Sequence, residues 1–272
     1  MRIALVPHVE RRDALEVGRK LTASGRARGI EVTADAVAAE ALGIDATPFE
    51  DFDLVVAVGG DGTMLAAVQV AFREDVPVLG VNLGTVGFLA DAEVSDLDMV
   101  LDRIASGSWT VAERMTLHAV AGGNEAVGVN DVVVEKVDSQ RLVALSVAFD
   151  GEPFLTYRAD GLVFGTPTGS TAYNFSAGGP LVDPGLEAIV LTPVAPFSLF
   201  TRSVVLDAAV VVHCTVAQDR HVRVSTDGVP VAELAPGDVV EIRRGDRPVR
   251  FVQMSGRSFP ARVKAKFRLG GL

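Results

Sequence analysis

Along the first part of the chain, short apolar runs alternate with amphipathic stretches. "RIALVP" (residues 2–7), "IEVTAD" (30–35), "LVVAVGG" (54–60) and "VPVLGVN" (76–82) have the length and continuity of buried strands. Between the first two, "RRDALEVGRKLTASGRARG" carries apolar residues at Ala14, Leu15, Val17 and Leu21 and leaves through Gly29, which predicts a helix. "TMLAAVQVAFRE" and "VSDLDMVLDRIASG" read the same way. Strands that alternate with helices predict a parallel sheet covered on both faces. The glycine-rich corners of such sheets are where ligands bind.

After Trp109 the period shortens to that of β-strands. "MTLHAVAG", "VGVNDVVVEKV", "LVALSVAFDGEPFLTYR", "GLVFGTP", "AIVLTPV", "SVVLDAAVVVHCTV", "HVRVSTDGVPVAEL", "DVVEIRR" and "VRFVQM" are all short and β-rich. Asp150-Gly151 and Asp227-Gly228 lie between alternating runs and predict tight hairpin turns. The expected fold class is an α/β N-terminal domain with a parallel sheet, residues 1–107, plus a β-rich, sandwich-like C-terminal domain, residues 108–254. No long linker separates them, so a compact join is expected, and ligands favour such joins.

Charge narrows the partners. The net charge of −10 disfavours nucleic acid and anionic membrane, which need a basic face. A phosphorylated ligand would require local arginines or a metal ion. The single cysteine, Cys214, excludes an intrachain disulfide, fits a reducing compartment, and reads as a small buried residue in "AVVVHCTV". The N-terminal apolar stretch is too short for a signal peptide, and no run approaches the ~20 apolar residues of a membrane span. The expected location is the cytoplasm. His8, His118, His213 and His221 show no metal-ligand spacing and read as structural or surface residues. No side-chain metal site and no nucleophile elbow is predicted.

Two stretches carry chemistry. In "GGDGT", Gly59, Gly60 and Gly62 allow positive φ angles and close approach of a phosphate, and Thr63 is placed to cap the next helix. Neither a Walker loop nor a dinucleotide fingerprint is present. Asp61, amid these glycines, could hold magnesium beside phosphates, accept a proton from an attacking hydroxyl, or simply cap the helix. The second stretch, "RADGLVFGTPTGSTAYNFSAGGPLVDP" (158–184), crowds Thr166, Thr168, Ser170, Thr171 and Ser176 around Tyr173, a candidate stacking surface for a base. A structural loop with a core tyrosine accounts for the composition equally well.

"GGDGT", "GVNLGTVGFLAD" (80–91), "VNDVVV" and "DGLVFGTPTGSTAYNFSAGGP", in this order, resemble the bacterial and archaeal NAD kinases. "GGDG" alone is shared with lipid kinases and phosphofructokinases; the long motif separates the NAD kinases from them. The resemblance implies an α/β domain and a β-rich domain with NAD bound between them. It also implies a last segment, about 255–272, returning to the first domain. It implies Asp61 as proton acceptor for the adenosine ribose 2′-hydroxyl, with Asp61 and Gly62 touching NAD. Asn130 and Asp131 match a pair that holds ribose hydroxyls, with aspartate where the family has glutamate. Thr171, Ala172, Tyr173, Asn174, Phe175 and Ser176 match the stretch lining the nucleotide. Asp160 matches an acid at the bases, Arg141 and Arg158 match basic or polar positions at the ligand, and Ala195 a small pocket residue. The chain departs from the family at Val86, Phe197 and Ser203, where leucine, histidine and proline are common.

The expected activity is transfer of the ATP γ-phosphate to NAD, giving NADP, with magnesium on the triphosphate. Polyphosphate is a second donor to consider, and a homo-oligomer, dimer or tetramer, is implied. The alternatives are a related kinase acting on a lipid or sugar hydroxyl and a non-catalytic NAD-binding regulator.

Overall fold

A computed structural model describes residues 1–45, 48–84, 87–138, 140–198, 200–217 and 220–269. It divides into one unit of Met1–Glu113 with Val249–Leu272, and a second of Arg114–Pro248.

The first unit is built on a seven-stranded sheet. Its order is Glu31–Thr33, Arg2–Pro7, Leu54–Val58, Val78–Asn82, Val249–Gln253, Thr110–Arg114, with Ala92–Glu93 beside Val78–Asn82. The central pairings are parallel, with Leu5 opposite Val56, Val55 opposite Val78, and Phe251 opposite Val78 on its other edge. Leu54–Val58 and Val78–Asn82 are buried along their whole length, which is why they read as unbroken apolar runs. Leu21, Leu101 and Ile104 from the helices Arg12–Arg26 and Leu97–Ser106 join Leu5, Val56, Leu79 and Val252 in one core.

A helix at Ala36–Leu42 follows the second strand and is not among the expected elements. It is short and alanine-rich, so its apolar signal is faint; its ends are set by the Asp35 carboxylate, which accepts the Ala38 N–H at 2.8 Å, and by Gly43 at φ 70°.

The second unit consists of two six-stranded antiparallel sheets. One runs Glu152–Ala159, Val143–Phe149, Val212–Val216, Val239–Arg244, Leu117–Ala121, Asn124–Gly128. The other runs Val204–Asp207, Ala188–Val194, Gly161–Gly165, Asp131–Lys136, Val222–Thr226, Val229–Leu234. Leu117, Leu145, Cys214 and Ile242 of the first interleave with Val132, Val134, Leu162 and Phe164 of the second in a single core. Burial pushes the Cys214 thiol up to about 12, so it stays protonated. Asp150-Gly151 and Asp227-Gly228 form their hairpins, each with both residues at positive φ.

Two sequence expectations change. The boundary falls after Glu113, not at residue 107, and "VRFVQM", expected in the β-rich part, supplies the strand Val249–Gln253 of the first unit. A strand buried on both faces carries the same apolar letters in either kind of sheet, so its period does not assign it. "SVVLDAAVVVHCTV" holds two strands belonging to different sheets, broken at Ala208–Val211. Among the described residues no helix is long and apolar enough to cross a membrane.

Candidate active site

In the first unit, the buried strand Leu54–Val58 runs through Gly59 and Gly60 into the helix Asp61–Arg73. Asp61 opens that helix. The N-cap is Gly60, and among the described residues no side chain caps the end, so the expected capping by Thr63 does not occur; Thr63 lies within the first turn. The three glycines also act differently than expected. None of Gly59, Gly60 and Gly62 has a positive φ. A Cβ on Gly60 or Gly62 would meet nothing within 4 Å, so the helix N-terminus stays open to a ligand.

The half-buried Asp61 keeps its Oδ1 out of solvent without a hydrogen-bond partner among the described residues. A carboxylate oxygen buried unpaired is costly. It is held against Gly87, where an added Cβ would lie 2.5 Å from Oδ1. Gly87 belongs to the quoted stretch 80–91, though sequence gave it no role; a glycine's bare surface leaves no letter pointing at its neighbour. Val86 lies outside the described residues.

In the second unit, Asn130 and Asp131 are buried at the start of the strand Asp131–Lys136. The carboxylate of Asp227 holds this corner: it accepts the N–H groups of Val129 (2.8 Å), Asn130 (2.7 Å) and Asp131 (3.2 Å). Sequence assigned Asp227 only to a turn. Burial, then the Asp227 charge, pushes the Asp131 carboxyl up to about 7.

The loop of the long motif is seated on the same corner. Thr166 N–H donates to the Asn130 carbonyl at 2.9 Å, and Thr166 Oγ1 donates to the Val129 carbonyl at 2.6 Å. A Cβ on Gly169 would stand 1.8 Å from the Asn130 oxygen. Only glycine allows that approach.

The short helix Tyr173–Ser176 continues from this loop. Tyr173, Phe175 and Ser176 are exposed, Thr171 and Ala172 half-buried. The Asn174 side chain is fully buried, with Nδ2 donating to Ser170 (3.2 Å) and Pro180 (3.0 Å) carbonyls. Thr192 Oγ1 hydrogen-bonds both Asn174 Oδ1 (2.6 Å) and Ser203 Oγ (2.8 Å), so the serine at a position where proline is common extends this network.

Partial burial and the charges of Glu135, Asp160 and Asp131 raise the Tyr173 hydroxyl above the usual tyrosine range. The tyrosine, the corner and Asp160 thus share one neighbourhood, with Glu135 an acid that sequence did not single out. Asp160 accepts from Lys136 Nζ at 2.5 Å. Lys136 and Arg141 line a recess of about 300 Å³ with Arg220 and His221. Arg158 is exposed; its carbonyl accepts the Phe197 N–H at 2.7 Å, while Asp160 N–H donates to the Val194 carbonyl. These bonds lay the turn with Ala195, at φ 45°, alongside 158–160. Phe197 is 73% exposed, a large apolar ring in water.

Among the described residues no group of three or more His, Cys, Asp or Glu is placed to hold a metal ion by itself. Asp61, the acid of the first turn at this open helix end, would be the residue to stand beside a magnesium ion brought in with phosphate.

Residues 8–109 match the family model of the ATP-NAD kinase N-terminal domain, and residues 129–254 that of the ATP-NAD kinase C-terminal domain. NAD kinase 2 of Streptomyces avermitilis is 42% identical over 83% of this chain and 77% of its own. The NAD kinase of Syntrophotalea carbinolica is 34% identical over 99% of both chains. In fold, the chain is similar to yeast NADH kinase, crystallised with NADH, at TM-score 0.88 and 24% identity, over 100% of this chain and 89% of that one.

Proposed function

Since this chain belongs to the ATP-NAD kinase family, we propose that it transfers the γ-phosphate of ATP to the 2′-hydroxyl of the adenosine ribose of NAD, with Asp61 as the proton acceptor. The observation that carries the role of Asp61 is its place as the half-buried first residue of a helix whose end Gly60 and Gly62 leave open. A hydroxyl brought there gives its proton to the carboxylate as its oxygen attacks the γ-phosphorus; the bond from that phosphorus to the β-γ bridging oxygen breaks, and ADP leaves. Gly62 leaves room for the nucleotide. Magnesium arriving with the triphosphate, next to Asp61, would neutralise phosphate charge.

In the second unit, Asn130 and Asp131 offer an amide and a carboxylate to ribose hydroxyls. The exposed ring of Tyr173 offers a stacking face to a base, with Thr171, Ala172, Phe175, Ser176, Asp160 and Ala195 around the nucleotide. Asn174 acts by holding this helix. Arg141 and Arg158 offset pyrophosphate charge in an acidic chain. The family resemblance further supports a homo-oligomer. The single cysteine supports the cytoplasm as its location.

Purified protein mixed with NAD, ATP and magnesium, coupled to an NADP-dependent dehydrogenase, tests the reading. NADP formation is expected. NAD binding without phosphate transfer would instead make the chain a regulator, and turnover of diacylglycerol or a hexose phosphate but not NAD would make it a lipid or sugar kinase.

A further inference from the structure

Nothing on its own helix orients the Asp61 carboxylate. Among the described residues it makes no cap bond, and Oδ1 has no partner. What it lies against includes Gly87, so close that a Cβ there would stand 2.5 Å from Oδ1. The segment from Gly87 to Asp91 is in turn fastened at several points. A Cβ on Gly80 would meet the Ala90 Cα at 2.8 Å, and Asp91 N–H donates to the Gly80 carbonyl at 3.2 Å. The buried Asp91 carboxylate accepts from Met254 N–H (2.5 Å), Ser255 N–H (2.8 Å) and Ser255 Oγ (2.7 Å).

Arg262, on the helix Phe259–Phe267, completes the fastening. Its guanidinium pairs with Asp91 and donates to the carbonyls of Phe88 and Ala90, each at 3.4 Å. The same helix sets Phe267 against the Phe88 ring, centroids 6.0 Å apart. A single planar fork thus addresses three points of the segment that walls Asp61. A lysine, with one point charge, cannot do this.

We propose that Arg262 is a positioning residue for phosphate transfer, holding the Gly87–Asp91 segment as the wall that fixes the Asp61 carboxylate. This rests on Asp61 being the proton acceptor. A base displaced by about 1 Å can cost ~10²-fold in rate. The loss belongs in kcat, because the Arg262 guanidinium is taken up by Asp91 and by the Phe88 and Ala90 carbonyls.

Two variants test the inference from opposite ends of the wall. Arg262→Gly removes the fastening; Gly87→Ala pushes a methyl group toward Oδ1 and leaves Arg262 and Asp91 in place. Each is expected to lower kcat by about 10–100-fold with KM for NAD and ATP little changed. Added guanidinium ion should restore part of the turnover of Arg262→Gly but none of that of Gly87→Ala. Arg262→Lys should lie between parent and Arg262→Gly. Parental kcat in folded Arg262→Gly and in Gly87→Ala, with Asp61→Asn inactive, overturns the wall alone. Should Asp61→Asn itself retain parental turnover, the proton-acceptor reading falls, and this inference with it. If Arg262→Gly does not fold, Gly87→Ala decides: a parental kcat overturns the inference and a kcat loss with KM spared supports it.

Discussion

Asp227 and Asp131 are two carboxylates in one corner: Asp227 Oδ1 accepts the Asp131 N–H at 3.2 Å while its charge adds to the burial that pushes the Asp131 carboxyl up to about 7. In the unfolded chain that carboxyl titrates near about 3.9. Between about pH 4 and pH 7 the folded protein therefore binds more protons than the unfolded one. Linkage then makes the Asp131 contribution to stability fall as pH rises through this window. The size is on the order of a few kcal/mol. Asp131→Asn is expected to gain on the parent in urea unfolding at pH 8, with the gain fading toward pH 4. A difference independent of pH would show that Asp131 does not titrate in this range.

The second expectation concerns Asp61→Asn, which keeps shape and removes basicity. Loss of a general base costs about 10²–10⁴-fold in rate. Because the Asp61 side chain caps nothing and its buried oxygen is unpaired, losing the charge should cost at most the helix-terminus effect, about 0.3–1 kcal/mol. Steady-state kinetics beside thermal unfolding separates the two. Unfolding of the variant, rather than slow turnover of a folded one, would make Asp61 a structural residue.

Tyr173 gives a third. The residue is 39% exposed on the short helix, so removing its ring leaves the core intact. Tyr173→Ala should weaken NAD binding by about 1–3 kcal/mol, the scale of base–aromatic stacking. Tyr173→Phe should bind nearly as the parent does. Calorimetry on both variants checks this, and an alanine variant with parental affinity would rule out stacking.

Gly169→Ala is the fourth. With its Cβ 1.8 Å from the Asn130 carbonyl oxygen, the loop or the corner must move. A loss of about 3 kcal/mol or more in unfolding free energy is expected. An alanine variant as stable as the parent would show that the loop can rise off the corner without cost.

The legible parts of this molecule are those whose signal is local. Unbroken apolar runs marked Leu54–Val58 and Val78–Asn82 because strands buried on both faces have nothing polar to alternate with. Asp61 stood out because an acid among glycines after such a run is anomalous, and Asp150-Gly151 because two positive-φ residues in a row have few spellings. Asn174 was legible as part of a motif but not as a buried strut, since its partners Ser170, Pro180 and Thr192 are spread over the loop and another strand. Asp227 looked like a turn residue: the three N–H groups it accepts lie about a hundred positions earlier. Arg262 was hidden for the same reason, its carboxylate partner being 171 residues away. One-dimensional periodicity reports which face of an element is apolar; it carries no record of pairings closed across such distances.

The strand Val249–Gln253, laid along Val78–Asn82, sets an order of events. Every strand of the second unit leaves the ribosome before it, because all of Arg114–Pro248 comes earlier in the chain. During synthesis the second unit can close its sheets while Val78–Asn82 still has part of an edge unpaired, the state in which a strand recruits foreign partners. The first unit must wait for the far end of the chain, and the long loop then closed makes it the slow step of folding. Nascent chains halted before Val249 should therefore show a protease-resistant Arg114–Pro248 fragment and a first unit that is still digested.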